Sequence, residues 1–264
     1  MQLGLLKGTN NASPSGDVRH NRTDMREFRP PCVSLDLEVG RDDRIHAIGA
    51  IRADNGRSLT HSGGGLAALL SRLDDFAEGA SFLLGHNLIA FDLPHLAAAK
   101  PALRLLKLPA VDTLRLSPLA FPRNPYHSLV KHYQDGGLKR GRVNDPELDS
   151  RLALKLFGDV CEALAKAAPD LLGAWHQLCT PEPGGVDRAL DVLFCQLRRA
   201  DRPSQAEAGA AIGRRLENAA CATWAREVVA EAHQPGWPLA HVYQVGGRFC
   251  PFGRYFEVCP PVTC

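Results

Sequence analysis

The sequence predicts an α/β domain with a mixed sheet over residues 31–168, flanked by helices and followed by a C-terminal helical extension. Three observations carry this prediction. CVSLDLEV and IHAIGAI are β-rich runs separated by the turn-like GRDDR, so they read as a hairpin. Further short apolar runs then alternate with helical patterns, an order that gives a mixed sheet with helices packed on it. The chain has 264 residues of 45% hydrophobic composition, enough to enclose a full core.

Each element follows in turn. Residues 1–30 are polar, end at a Pro-Pro pair and read as a disordered or peripheral leader. CVSLDLEV (32–39) and IHAIGAIRA (45–53) are strands, and SLTHS (58–62) is a third. GLAALLSRLDDFAEGA (65–80) has helical periodicity. SFLLGHN (81–87) reads as a strand then a loop, and AFDLPHLAAA (90–99) starts a helix. PAVDTLRLSPL (109–119) is a short strand followed by a short helix, and YHSLVKHYQ (126–134) is read as a helix. The long pattern from Asn144 to Ala167 is a helix capped by Asn144 or Asp145, with Pro146 in its first turn. Helical patterns near 170–178, 186–200 and 205–232 form the extension, residues 169–232. Residues 233–264 are rich in Gly, Pro and Cys without a regular period: an irregular tail packed on the helices, or the product of a truncated or shifted reading frame.

Composition narrows the function classes. With 31 basic and 29 acidic residues, the net charge of +2 neither demands nor excludes nucleic acid. No apolar run reaches the ~18 residues of a membrane helix, and the N-terminus lacks the ~7–15-residue apolar core of a signal peptide. A cytoplasmic protein is expected. Eight cysteines without a CxxC pair read as reduced thiols, and the spacing of Cys250, Cys259 and Cys264 is loose for structural zinc. SGGGLAALLS lacks the GK[ST] ending of a phosphate loop, and no HExxH occurs, so neither ATP binding nor zinc peptidase chemistry is supported.

The chemistry resides in carboxylates. On a strand, residues i and i+2 share a face, so Asp36 and Glu38 project together while Leu35, Leu37 and Val39 face the other way. Two like charges side by side repel, and a divalent cation between them removes the conflict; hard oxygen ligands suit Mg²⁺ or Mn²⁺. A solvent-facing strand edge would also tolerate the pair. Further acids follow: Asp92 where LLGHNLIAFDLPHL enters a helix, Asp112 at a strand end, and Asp149 in the long helix.

These segments, in this order, resemble the DEDD, or DnaQ-like, exonucleases of the ribonuclease H-like superfamily. Asp36 and Glu38 fit the family's D-x-E motif on its first strand. Gly85, His86, Asn87, Phe91, Asp92 and Leu96 fit a G-H-N-x-x-x-F-D-x-x-x-L pattern, and Asp149 fits the last acid on a helix. The resemblance covers about residues 32–160 and implies a ribonuclease H-like fold. It implies that Asp36, Glu38, Asp92 and Asp149 hold two Mg²⁺ or Mn²⁺ ions for hydrolysis of DNA or RNA from the 3′ end to nucleoside 5′-monophosphates, with DNA the first substrate. It also implies that His86 and Asn87 shape the loop presenting Asp92 or contact the nucleotide. The backbone of Leu37 would border the terminal base, and Phe91 would wedge against a base or pack in the core.

The sequence departs from the family at the general base. One branch has His five residues before the last Asp and the other has Tyr four before it; here those positions are Asn144 and Asp145. Asn cannot take a proton near neutral pH, but it can orient a water or a phosphate. The chain is therefore expected to cut with a borrowed base (Asp145 or His132), to cut slowly, or to bind nucleic-acid ends without cutting. Lys139, Arg140 and Arg142, in a basic loop before Asp149, are candidates for phosphate contact. Domains resembling this one occur fused to RecQ-type helicases in bacteria, so a helicase is an expected partner.

Overall fold

The computed structural model describes residues 31–62, 65–121, 145–185 and 187–216, with short pieces at 124, 127–129, 133–134, 137–138 and 226. Alternating apolar residues build five strands into one mixed sheet. They are β1 (Cys32–Val39), β2 (Ile45–Arg52), β3 (Ser58–Ser62), β4 (Phe82–Gly85) and β5 (Ala110–Asp112), in the order β3-β2-β1-β4-β5. β1, β2 and β3 pair antiparallel, and β4 and β5 join β1 in parallel. The chain is thus α/β, with parallel and antiparallel strands in one sheet.

Strand alternation sorts the core into two layers. Val33, Leu35, Leu37, Ile48, Ala50 and Leu83 point to one face, where Leu69, Leu70 and Leu73 of α1 (Leu66–Phe76) and Leu96 of α2 (Leu93–Ala99) cover them. Cys32, Phe82, Leu84 and Val111 point to the other. That face is covered by α3 (Thr113–Ala120) and α4 (Pro146–Leu164) through Leu116, Leu119, Phe157 and Val160. The same apolar cluster continues into α5 (Pro169–Cys179), α6 (Arg188–Arg198) and α7 (Gln205–Leu216), where Trp175, Phe194 and Ile212 are fully buried.

A polar clasp ties these last helices together. His176 of α5, stacked on Phe194, has Nε2 2.8 Å from Asp191 Oδ1. Arg202 donates to the same oxygen at 2.7 Å, and to Gln177 and Thr180. Asp191→Ala leaves the buried His176 and the half-buried Arg202 without their shared acceptor. We expect a loss of about 2–3 kcal/mol in urea unfolding, the scale of a hydrogen bond to a charged group.

One expected element is replaced. The described residues of 126–134 do not form the expected helix: residues 127–129 are irregular, and Tyr133–Gln134 (β6) pairs antiparallel with Gly137–Leu138 (β7). Tyr126, Leu129, Val130 and Tyr133 have helical spacing, but Asp135-Gly136 between the two short strands is a strong signal for a two-residue hairpin loop. The leader, the tail 233–264, Cys221, Cys250, Cys259 and Cys264 lie outside the described residues. The other four cysteines are free, and burial pushes the thiols of Cys32 and Cys161 up to about 12, which makes them inert. Among the described residues, no helix is long and apolar enough to cross a membrane.

Candidate metal centre

The site forms where β1, the end of β4 and the start of α4 meet. Asp36 and Glu38 project from β1 on its α4 side, half-buried. A register shift between Glu38 and Val39 bends the strand there, which re-aims the residues beside it.

α4 reaches these acids because β2 has a glycine, without a side chain, beneath its first turn. Gly49 is the cross-strand partner of Asp36. A Cβ at Gly49 would stand 2.2 Å from the Pro146 carbonyl carbon and 2.3 Å from the Glu147 nitrogen. The first turn of α4 therefore rests directly on the β2 backbone. Two serines fasten it: Ser150 Oγ lies 2.8 Å from both Gly49 O and Pro146 O, and Ser34 Oγ donates to Ser150 O at 2.8 Å. Asp145 caps the helix, accepting from the Leu148 amide at 3.2 Å. Asp149, 2% exposed, is thereby carried beside the β1 acids, and carboxylate oxygens of Asp36, Glu38 and Asp149 lie within 4.8 Å of one another.

Asp92 arrives from the other side. β4 ends at Gly85, where a side chain would meet Leu88 and the Leu35 carbonyl. The chain then turns through Asn87 in the left-handed region (φ 69°) into a single π-turn, Leu88–Asp92. Asp92 is 1% exposed, and its Oδ1 accepts from the Leu37 amide at 3.0 Å. That amide lies between Asp36 and Glu38 in sequence, so one hydrogen bond locks the fourth acid to the strand bearing the first two. Burial, and next the charge of Asp36, push the Asp92 carboxyl up to about 8, against the opposing Leu37 bond.

An all-carboxylate donor set suits a hard divalent cation, and the three clustered acids could hold a metal ion. A second group, His176, Asp191 and Cys195, also has its ligand-type atoms within 4.8 Å of one another. Arg202 bonds its Asp, and Arg198 Nη1 lies 3.3 Å from His176 Nδ1. These two guanidinium groups already supply the cationic partners, which makes that cluster a structural network.

The remaining expected residues separate into three groups. Leu37 is fixed by its role in the fold: its side chain is in the core and its amide is committed to Asp92. His86 and Asn87 shape the turn. His86 Nδ1 lies 2.9 Å from Thr113 Oγ1, and burial holds its imidazole below the ordinary value, against the opposing charge of Asp112 and a bond to the His127 backbone. Phe91 is 38% exposed and meets His95 edge-on at 4.7 Å, which overturns the core-packing expectation for it. Asn144, His132, Lys139, Arg140 and Arg142 lie outside the described residues. Sequence reasoning passed over Gly49, Ser34 and Ser150. A glycine inside a strand was a usable signal, because it marks close approach of another backbone. No family model matches this sequence, and no curated protein matches it.

Proposed function

We propose that this chain is a metal-dependent 3′–5′ exonuclease of ribonuclease H-like fold, acting on DNA first and RNA second. The observation that carries the reading is the convergence of four acids from three distant segments. Asp36, Glu38 and Asp149 cluster, and the buried Asp92 is bonded to the amide between the first two. The five-stranded mixed sheet flanked by helices is compatible with the fold.

Asp36, Glu38, Asp92 and Asp149 would hold two Mg²⁺ or Mn²⁺ ions. Bound there, the ions would supply charge neutralisation at the scissile phosphate and an activated water. The chain's own groups do the rest. Asp92 releases its proton on loading, and the Leu37 amide keeps its carboxylate aimed. The amino end of α4, one turn before Asp149, adds a positive dipole toward a bound phosphate. Phe91, exposed beside Asp92, offers a flat apolar face to a terminal base. Lys139, Arg140 and Arg142 would contact phosphates upstream.

A second reading, a module that binds nucleic-acid ends without cutting and serves a helicase, is favoured by Asn144 at the base position. Asp145 strengthens it, because that carboxylate caps α4. Lack of a positioned base slows cleavage by about 10²–10⁴-fold. The test uses 3′-overhang DNA and matched RNA, each labelled at the 5′ end, with Mn²⁺ or Mg²⁺. We expect a ladder shortening from the 3′ end, lost with EDTA and in the double variant Asp36→Ala, Asp92→Ala. Tight binding without cleavage in either metal would replace the exonuclease with the binding module, and Asn144→His would then be expected to restore cutting.

A further inference from the structure

The acid that the metal reading leaves out is Asp112, which is 3% exposed at the end of β5. Its carboxylate accepts three backbone amides. Oδ1 takes Asn87 N and Leu114 N, each at 2.9 Å, and Oδ2 takes Ile89 N at 3.1 Å. Only the Leu114 bond is a helix cap, at the start of α3. The other two reach across to the turn between β4 and Asp92. That turn needs holding: Asn87 has φ 69°, and the π-turn that follows ends on Asp92. Thr113, next to Asp112, reinforces the grip by donating to Gly85 O at 3.0 Å.

From this geometry we infer that Asp112 is a positioning residue. It does not hold metal; it fixes the Asn87–Ile89 turn so that Asp92 meets the Leu37 amide between Asp36 and Glu38. The chain of contacts is continuous: Asp112 to Asn87 and Ile89, through the π-turn to Asp92, and from Asp92 Oδ1 to Leu37 N. With three amide donors on its two oxygens, Asp112 is matched to its backbone partners, as an anchoring carboxylate should be. The inference rests on the metal-centre reading for its consequence, but not for its geometry.

Asp112→Ser separates the two roles. Serine caps helices well, so the bond to Leu114 N is replaced, but its hydroxyl is too short to reach the turn. The first readout is hydrogen exchange of the Leu37 amide in EDTA, with Asp92→Ala as the reference for a lost bond. We expect Leu37 in Asp112→Ser to exchange at least about tenfold faster, approaching the reference, while β1 amides paired to β2 keep their protection. The second readout is Mn²⁺ affinity by calorimetry. Loss of a group that orients a ligand typically costs ~10–100-fold, and we expect that range here. Unchanged Leu37 protection overturns the inference, as does uniform loss of protection along β1, which would mark a merely structural residue. A wild-type protein that fails to bind Mn²⁺ overturns the metal reading instead, and the Leu37 result still decides the role of Asp112.

Discussion

Gly49→Ala will lower folding stability by about 1–3 kcal/mol and weaken Mn²⁺ binding at least about tenfold. The added Cβ would sit 2.2 Å from the Pro146 carbonyl carbon, and its other near neighbours are also backbone atoms. A side chain could rotate away; a helix backbone cannot. The first turn of α4 must lift off β2, which stretches the Ser150 bonds to Gly49 and the Ser34 bond to Ser150. Overpacking of this kind costs ~1–3 kcal/mol, and a small displacement of one ligand weakens the whole metal set. Asp149 rides on that turn while Asp36, paired opposite Gly49, stays with the sheet. Gly158→Ala on the same helix is the control, since nothing lies within 4 Å of its added methyl. It should stabilise by up to about 1 kcal/mol and leave metal binding alone. Urea titrations with and without Mn²⁺ measure both. Equal metal affinity in the two variants would mean that contact at Gly49 does not set the position of Asp149.

The acids of this site show what the sequence exposes and what it hides. Asp36 and Glu38 were legible because strand period two is a local rule: their shared face follows from spacing alone. Asp92 and Asp149 were legible only as parts of ordered motifs. Their convergence depends on the crossover from β4 to the π-turn and on the seating of α4, neither of which is local. Gly49 and Asp112 act across β1–β2 and β4–β5 pairings, so their partners are visible only once strand register is known. The sheet and its helices were readable in outline because apolar alternation reports burial directly. The helical spacing of segment 126–134 competes with the Asp-Gly loop signal in the sequence beside it, and in the structure Tyr133 pairs with Leu138.

Asp92 will cost the metal-free protein stability as pH rises from about 4 to about 8, against the opposing contribution of His86, His127 and His176, which burial holds below the ordinary imidazole value. In the unfolded chain this carboxyl ionises near the model-peptide value of about 3.9. In the folded chain it keeps its proton up to about 8, because it is buried beside Asp36. Between those values the unfolded state binds fewer protons than the native state, so raising pH favours unfolding. At about 1.4 kcal/mol for each pH unit between these two values, the full effect is roughly 6 kcal/mol. Divalent metal reverses the sign. It binds the ionised carboxylate, so below pH 8 loading must release the Asp92 proton, and stabilisation by Mn²⁺ should grow with pH and level off above 8. Asp92→Asn tests both halves at once. The amide oxygen can still accept from Leu37 N, so the local structure is kept, but there is no proton to hold and no charge to offer. The variant should show a flatter stability profile from pH 5 to 8 in EDTA and little gain from Mn²⁺ at any pH. A wild-type profile that runs parallel to that of Asp92→Asn over this range would mean that Asp92 is ionised in the folded protein without metal. The acid quartet would then owe its compatibility to solvent rather than to a bound cation.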